Sequence, residues 1–569
     1  MKKEALYCLA DTTIIEPLVN QWPAWAQLLS PLPAGLHAAN YQTSALRSYL
    51  EDPEAHVKAS RDPEMIGGPF VDIPVERAGE VRELLALTEE RQRRQIQLAK
   101  VFTEFHNNLV DEATGQSLEP FYRSVPDTLG GYVELVYDYY NRPTVRCFEA
   151  LLYESDYYDK SLQSLRIWQL KADGSRAFFM STPHLLSEGE IDLPLSFDDP
   201  RARQLYRLDT EPRPLAEIRD IFGFGPEDDE RLLPLLTESP AGLPAAWDGE
   251  TARVRYVGHA CVLIEWRGTT ILTDPYIGVR PSEGGMERIS YRDLPERIDY
   301  ALVTHNHQDH FALETLLRLR HRIGHLVVPR SFGMLHGDMS LKLMMRKLGF
   351  ESVIELDALE SINIPDGQIV GVPFLGEHGD LACGKTGFVI RCGNEQMLFG
   401  ADSDCLDERV YENVRKALGP VETVFLGTES VGAPLFWCIG SLFLRRPQHQ
   451  HEQSRRFHGC NARSALDILE TVGALRIYNY AMGMEPWIEH LLGLGLTETS
   501  PQYIESERLL EAARLRGFVA AERLYGTREI HLGGSGADAF EPGRDLWRAG
   551  ISAPSEIEGA HDEEDQFVF

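Results

Sequence analysis

Apolar residues Leu84, Leu87, Leu98, Val101, Phe102, Phe105 and Leu109 recur mostly at three- and four-residue steps across 81–110. That spacing predicts one long amphipathic helix packing a single face. Aromatic and β-branched runs at 132–140 and 165–170 predict strands, with a weaker candidate at 177–180. Mixed text of this kind fits a separate α+β domain over residues 1–245. Between 232 and 249 the periodicity breaks at Pro234, Pro240, Ala241, Gly242, Leu243 and Pro244, which reads as a linker. Beyond it, short strand candidates follow at 254–257, 260–266, 270–273, 300–304 and 325–328. Helical text at 313–320 and 341–348 is interleaved with them, so sheets flanked by helices, an α/β architecture, are expected over 246–550. Residues 551–569 carry Glu556, Glu558, Asp562, Glu563, Glu564 and Asp565 and read as an acidic tail, disordered or loosely docked.

Composition narrows the function classes. A length of 569 residues exceeds one ordinary core, and 43% hydrophobic with 25% charged residues is the balance of a folded protein. The formal charge of -31 repels polyanions, so neither nucleic acid nor an anionic membrane is an expected partner. Two local basic spots remain, Arg318, Arg320 and Arg322, and Arg445, Arg446, Arg455 and Arg456. Each reads as a solvated helix face or as a dock for an acidic partner, and the first is the candidate dock. The cysteines at 8, 147, 261, 383, 392, 405, 438 and 460 form no CxxC pair and no disulfide framework. Glu4, Asp11 and Glu16 interrupt the apolar run a signal peptide needs, and a cytoplasmic location is expected. The longest uncharged apolar stretch, 431–444, is about fourteen residues against the roughly 20 of a spanning helix.

Chemistry concentrates after the strand candidate at 300–304, in Thr304-His305-Asn306-His307-Gln308-Asp309-His310. Imidazoles at His305 and His307 alternate in extended chain and can face one cation, while Asp309 and His310 on the following turn can serve a second. Burying three histidines and a carboxylate without a metal would leave polar groups short of partners at about 1 to 3 kcal/mol each. Downstream, Phe399-Gly400-Ala401-Asp402 has the form of a strand ending in a carboxylate that bridges two ions, with Asp404 as the fallback. Glu377 and His378, in Leu375-Gly-Glu-His-Gly-Asp380, are alternatives for a third ligand to the first ion. Asp274, after Thr273, reads either as a residue orienting a ligand or as a turn aspartate before Pro275.

The H-x-H-x-D-H motif, with Gly258-His259-Ala260 and Thr273-Asp274-Pro275 ahead of it, resembles the metallo-β-lactamase superfamily, an αββα sandwich with metals at one edge. Two departures separate the chain from the hydrolases of that fold. Glu377 and His378 stand where those have one histidine, and the strand text from Ala474 to Glu485 ends without their last histidine. His490 lies in helical text and reads as a packed residue. Together with "GYVELVYDYYNRP" from Gly131, "SLQSLR" from Ser161, "GEHGDL" from Gly376 and "YAMGMEPW" from Tyr480, these departures resemble the CmlA-type diiron β-hydroxylases of nonribosomal peptide biosynthesis.

That resemblance implies iron held by His305, His307 and Glu377, a second iron held by Asp309 and His310, and Asp402 as the bridge. It further implies that Glu429 faces the substrate amine. From the residues alone, Glu429 is equally a strand-end carboxylate capping the next loop. A carboxylate in place of an imidazole hardens the site in the direction that suits iron, and the absent last histidine leaves a coordination position open. The implied reaction uses dioxygen as co-substrate and an external electron donor to hydroxylate the β-carbon of an aminoacyl group. That group would ride as a thioester on the phosphopantetheine arm of a synthetase carrier domain, with the apolar 431–439 segment as a candidate lining for the arm's tunnel or as plain core. The N-terminal domain is a candidate for carrier docking or homodimerisation. The competing class is a zinc-dependent hydrolase on the same fold, with metal-bound hydroxide as nucleophile.

Overall fold

In the computed structural model, strand text that is apolar on both faces becomes the centre of two stacked sheets, because a strand buried on both sides has no polar face to alternate with. The structure describes residues 5–533 outside 63–64, 66–67, 239–242, 332, 334–335, 377–383, 449–455 and 494. The acidic tail lies beyond them. The first sheet runs in the order Val353–Leu356, Ile323–Pro329, Ile298–Leu302, Thr269–Thr273, Cys261–Trp266, Ala252–Gly258 and Arg528–Leu532. Its first four strands pair in parallel and the rest antiparallel. The second sheet runs Ser361–Ile364, Gly367–Val372, Gly387–Cys392, Glu395–Ala401, Thr423–Leu426, Arg476–Asn479 and Ala520–Arg523.

Between the sheets lies a core of Val254, Tyr256, Ile264, Ile271 and Leu302 against Ile369, Phe388, Ile390, Phe399 and Phe425. The outer face of the second sheet is covered by helices Glu408–Leu418, Ala462–Val472 and Pro501–Leu515 through Val414, Ile468, Leu469 and Leu509. Helices thus flank stacked sheets, the αββα arrangement expected of residues 246–550.

The outer face of the first sheet packs on helices Leu313–Leu319 and Leu341–Lys347 and on the N-terminal half. Val257, Leu263, Ala301 and Val328 share one apolar cluster with Ile14, Ile15, Leu165 and Ile167 of an N-terminal four-stranded sheet. The N-terminal half therefore shares a core with the sandwich instead of standing apart from it. Within that half the helical text at 81–110 forms two helices, Ala78–Arg91 and Arg93–Glu112, interrupted at Gln92, whose side chain accepts from Asn20 Nδ2 at 3.2 Å. The strand expected at 177–180 does not form. Phe179 and Met180 are buried from a turn, their apolar character serving the shared core directly.

The arginines after the metal motif correct a second expectation. Arg318, Arg320 and Arg322 are buried, not displayed. Arg318 donates to both oxygens of Asp209 at 2.8 and 2.6 Å and to the Thr13 carbonyl at 2.8 Å, with Tyr291 beneath its guanidinium. Arg320 donates to the carbonyls of Phe197 at 2.7 Å and Leu348, and Arg322 to those of Tyr291 and Leu294, both at 2.7 Å. Arg318 and Arg320 fasten the region after the metal motif to the N-terminal half, Arg322 ties it to the 291–294 segment of the second half, and none offers a dock. Of the other basic spot, Arg445 pairs with Asp111 at 2.6 Å and Arg446 lies over the Phe436 ring, while the side chains of Arg455 and Arg456 lie outside the described residues.

Removing one partner of a buried ion pair strands the other charge. Asp209→Ala is accordingly expected to cost about 3 to 5 kcal/mol in denaturant unfolding, far more than an exposed pair such as Arg94 with Asp156.

A second buried network, His184 between Glu16 and Glu190, makes stability depend on pH. Burial opposes the imidazolium, yet the two carboxylates outweigh it and hold His184 at about 9. A histidine raised in this way contributes fully below its unfolded value near 6.5, and the contribution is lost as pH rises through 9. Unfolding free energy should therefore fall by up to roughly 3 kcal/mol between those values, and His184→Gln should flatten that slope.

Candidate metal centre

Five chain segments deliver polar side chains to one place, and each is the residue run just past the carboxyl end of a strand or hairpin turn. These are His259, Asp274 after Thr269–Thr273, His305 to His310 after Ile298–Leu302, Asp402 after Glu395–Ala401, and Glu429 after Thr423–Leu426. Carboxyl ends of parallel strands are where sheets of this kind place ligands. The turns are tight. His259, Asp274, Ala401 and Ala481 all have φ between 35° and 54°, the left-handed region that costs a non-glycine residue, and such residues gather at functional sites.

Asp274, with no exposed surface, sets the geometry. Its Oδ1 accepts from the Thr304 backbone N–H at 2.7 Å, and its Oδ2 accepts from Thr304 Oγ1 at 2.8 Å and from His310 Nδ1 at 2.9 Å. Holding Nδ1–H in this way turns the His310 Nε2 lone pair toward the cluster. Asp274 thus orients the His310 ring. His310 Nε2 lies 2.9 Å from Asp402 Oδ2 and 3.3 Å from Asp309 Oδ2, and His305 Nε2 lies 3.6 Å from the same Asp402 oxygen. The His305 ring is 4.7 Å from that of His307 and 4.2 Å from that of His310. Two sets of donors, His305 with His310 and Asp402, and His259 with Asp309 and His310, each fall within 4.8 Å, the spread of atoms that can share one ion.

The electrostatics fit cations at this point. Asp274, Asp309, Asp402 and Glu429 converge in a buried space. Burial and the carboxylates of Asp402 and Asp309 push Glu429 well above the ordinary range. Burial raises Asp274 as well. Against burial, Asp402, Asp309 and Asp274 hold His310 well above the ordinary imidazole value, so the field at this point favours positive charge. Against burial too, the His310 and His259 rings hold Asp309 well below the carboxylate range. Crowded carboxylates and imidazoles whose donor atoms already converge suit a pair of metal ions, which would remove the repulsion at its source.

His305, His307, Asp309, His310 and Asp402 therefore come together, and Glu429 stands in the same field. Glu377 and its alternative His378 lie outside the described residues. The chain on either side is described: the Phe374 ring is 5.3 Å from the His305 ring, Lys385 bridges His305 in antiparallel fashion, and Lys385 Nζ donates to the Gly376 carbonyl at 2.6 Å. Asp404 turns to local bonds, its Oδ1 accepting from the Cys405 N–H at 2.7 Å, and is in neither donor set. His490 is buried beside Tyr276 and held well below the usual imidazole value by burial and by Arg176. It is a packed histidine, as its helical text suggested. In the 431–439 segment, Leu435 is buried and Ile439 packs with Leu442 on the N-terminal helices, while the side chains of Trp437 and Cys438 lie outside the described residues.

Two residues of the centre were not singled out from sequence. His259 Nε2 lies 3.0 Å from Asp309 Oδ2, and Tyr480 Oη accepts from the Ala401 N–H at 3.2 Å, bracing the strand end before Asp402. Both sat inside quoted motifs, Gly258-His259-Ala260 and the run from Tyr480, and that was the available signal.

Comparison with known proteins agrees with this geometry. Residues 8–240 match the diiron non-heme β-hydroxylase N-terminal domain, and residues 253–429 match the β-lactamase superfamily domain. The chain is 36% identical over 535 residues, 92% of its length and 100% of the relative's, to 4-amino-L-phenylalanyl-[CmlP-peptidyl-carrier-protein] 3-hydroxylase of Streptomyces venezuelae. The crystal structure of CmlA, a diiron β-hydroxylase from the same organism, superposes with a TM-score of 0.86 at 34% identity, covering 93% of this chain and 100% of that one. A mutant of CmlA gives 0.83 with 92% of this chain covered. By whole-length likeness in sequence and structure, the chain belongs to the diiron non-heme β-hydroxylase family, with a metallo-β-lactamase fold as its second half.

Proposed function

We propose that the protein hydroxylates the β-carbon of an amino acid tethered as a thioester to a peptidyl carrier domain, using dioxygen and electrons from an external donor. The observation that carries this is Asp402, buried and facing the ring nitrogens of both His305 and His310, the position of a carboxylate shared by two ions. His305 and His307 would hold one iron and Asp309 and His310 the other. Glu377 would complete the first, since the described chain on both sides of it adjoins His305. An iron pair held there would activate dioxygen, the oxidant, which no side chain here can do.

The chain's own residues do the rest. Asp274 and Thr304 fix the ligand loop before any ion arrives, so little reorganisation is needed on loading. Glu429 projects from the end of its strand into the same field and is assigned to the substrate's amine, where an ammonium would offset its exposure to Asp402 and Asp309. A cation near Glu429 answers the repulsion that otherwise favours its protonated form. Substrate and metal thus stabilise one another's site.

Zinc-dependent hydrolysis is not favoured. The whole-length relative is a hydroxylase, and its match includes the N-terminal half, whereas a fold alone would say little about chemistry. A partner follows from the same likeness: that relative acts on an aminoacyl group bound to a carrier protein. Among the described residues no helix is long and apolar enough to cross a membrane.

Iron-loaded, reduced protein given dioxygen and a panel of carrier-bound amino acids should add one oxygen atom to one of them, read by mass spectrometry of the carrier. Thioester or ester hydrolysis by a zinc-loaded, oxygen-independent protein would overturn the proposal. Asp402→Ala should lower iron below two per chain and abolish oxygen insertion together. Glu429→Gln should leave iron content at the parental level and raise KM for the tethered substrate by roughly tenfold or more, the equivalent of about 1.4 kcal/mol of lost ammonium recognition.

A further inference from the structure

His259 stands beside both Asp309 and His310, and its ring can be read two ways: as the missing last ligand of the second ion, or as a group that holds a ligand in place. A neutral imidazole has one lone pair and one N–H. Here the Gly483 backbone N–H donates to His259 Nδ1 at 3.2 Å, which uses the lone pair. Nε2 is then the N–H, and it points at Asp309 Oδ2, 3.0 Å away. Binding a metal through Nε2 would require the ring to give up that proton as well, becoming an imidazolate, or to release the buried Gly483 N–H.

The surroundings over-determine this orientation. The ring is 2% exposed and meets the His310 ring edge to face at 5.1 Å. The His259 carbonyl accepts from the Ala481 N–H at 3.0 Å, so the turn after Ala252–Gly258 and the 480–484 loop are stitched together twice. His259 has φ 51° and Ala481 φ 54°, a cost of order 1 to 3 kcal/mol each, sustained only where neighbouring contacts hold it. The backbone of the 480–484 loop sets the tautomer of a histidine on the facing turn.

We infer that His259 is a positioning residue for the second cation: its Nε2–H donates to Asp309 Oδ2, the oxygen that also faces His310 Nε2, so it fixes how that carboxylate is presented and contributes no lone pair itself. This rests on the reading that Asp309 binds a metal. It adds that the 480–484 backbone, by fixing the His259 tautomer, sets how Asp309 is held.

The test compares the full-length parent, His259→Gln and His259→Ala after loading with ferrous iron. Gln can donate from its amide near the Nε2 position but is a poor ligand, so it should retain iron close to the parent. His259→Ala should release one of its two ions to a ferrous chelator about 10- to 100-fold faster. The number of metal-bound imidazoles, counted by pulsed electron paramagnetic resonance or X-ray absorption, should be the same in parent and Gln variant. Loss of one bound imidazole in His259→Gln would show that the ring is a ligand and overturn the inference. So would parental iron retention in a folded His259→Ala. If the Ala variant does not fold, the imidazole count in the Gln variant still decides. A parent that holds no iron would sink the diiron reading along with this one, whereas the other two adverse results sink this inference alone.

Discussion

A single buried carboxylate, Asp274, ties the end of one strand to the loop after the next. Its hydrogen bonds to the Thr304 backbone, the Thr304 hydroxyl and the His310 ring fix where the loop leaves the sheet and which nitrogen faces inward. Without it, His305 and His310 would be flexible side chains near acidic neighbours. With it they are preset donors, and the entropy of ordering them is settled during folding and not at metal uptake. The sheet makes this feasible, because parallel neighbours Thr269–Thr273 and Ile298–Leu302 bring both strand ends to the same rim.

What the sequence disclosed and what it hid divide along contact range. The H-x-H-x-D-H run was legible because strand, turn and donors are contiguous, so periodicity and motif point at the same residues. Strand cores such as Cys261–Trp266 were legible for the same reason. Arg318, Arg320 and Arg322 were misread because charges in a helical run ordinarily mean water, and their partners Asp209, Phe197 and Tyr291 lie 31 to 123 residues away, farther than any local pattern can span. Phe179 and Met180 were apolar for burial, not for a strand, and composition does not separate the two. The edge strand Arg528–Leu532 exists by pairing with Ala252–Gly258, nearly three hundred residues earlier, and only Ile530 and Leu532 alternate inward, too short a pattern to announce it.

The fold and the chemistry meet in the strained turns. Left-handed backbone at His259, Asp274, Ala401 and Ala481 rings the donors, and each sits where a strand must stop abruptly so that a short side chain can reach the centre. Stable sheets behind them carry that cost. The second sheet contributes stacked Phe399 and Phe425, whose rings are 4.6 Å apart just beneath the strand ends leading to Asp402 and Glu429. Rigid aromatic packing there limits how far either carboxylate can drift.

The arginines behind the metal loop bear on how such proteins can diversify. Arg318 reaches Asp209 and Thr13, and Arg288 reaches Asp173, so the sandwich is keyed into the N-terminal half by charges that have no water to fall back on. A lineage exchanging its amino-terminal portion for another would have to import matching acceptors at every lock, or leave naked guanidinium in the interior. Recombination between halves is thereby discouraged, and variety in substrate must come from loops at the rim, where side chains change without disturbing those locks.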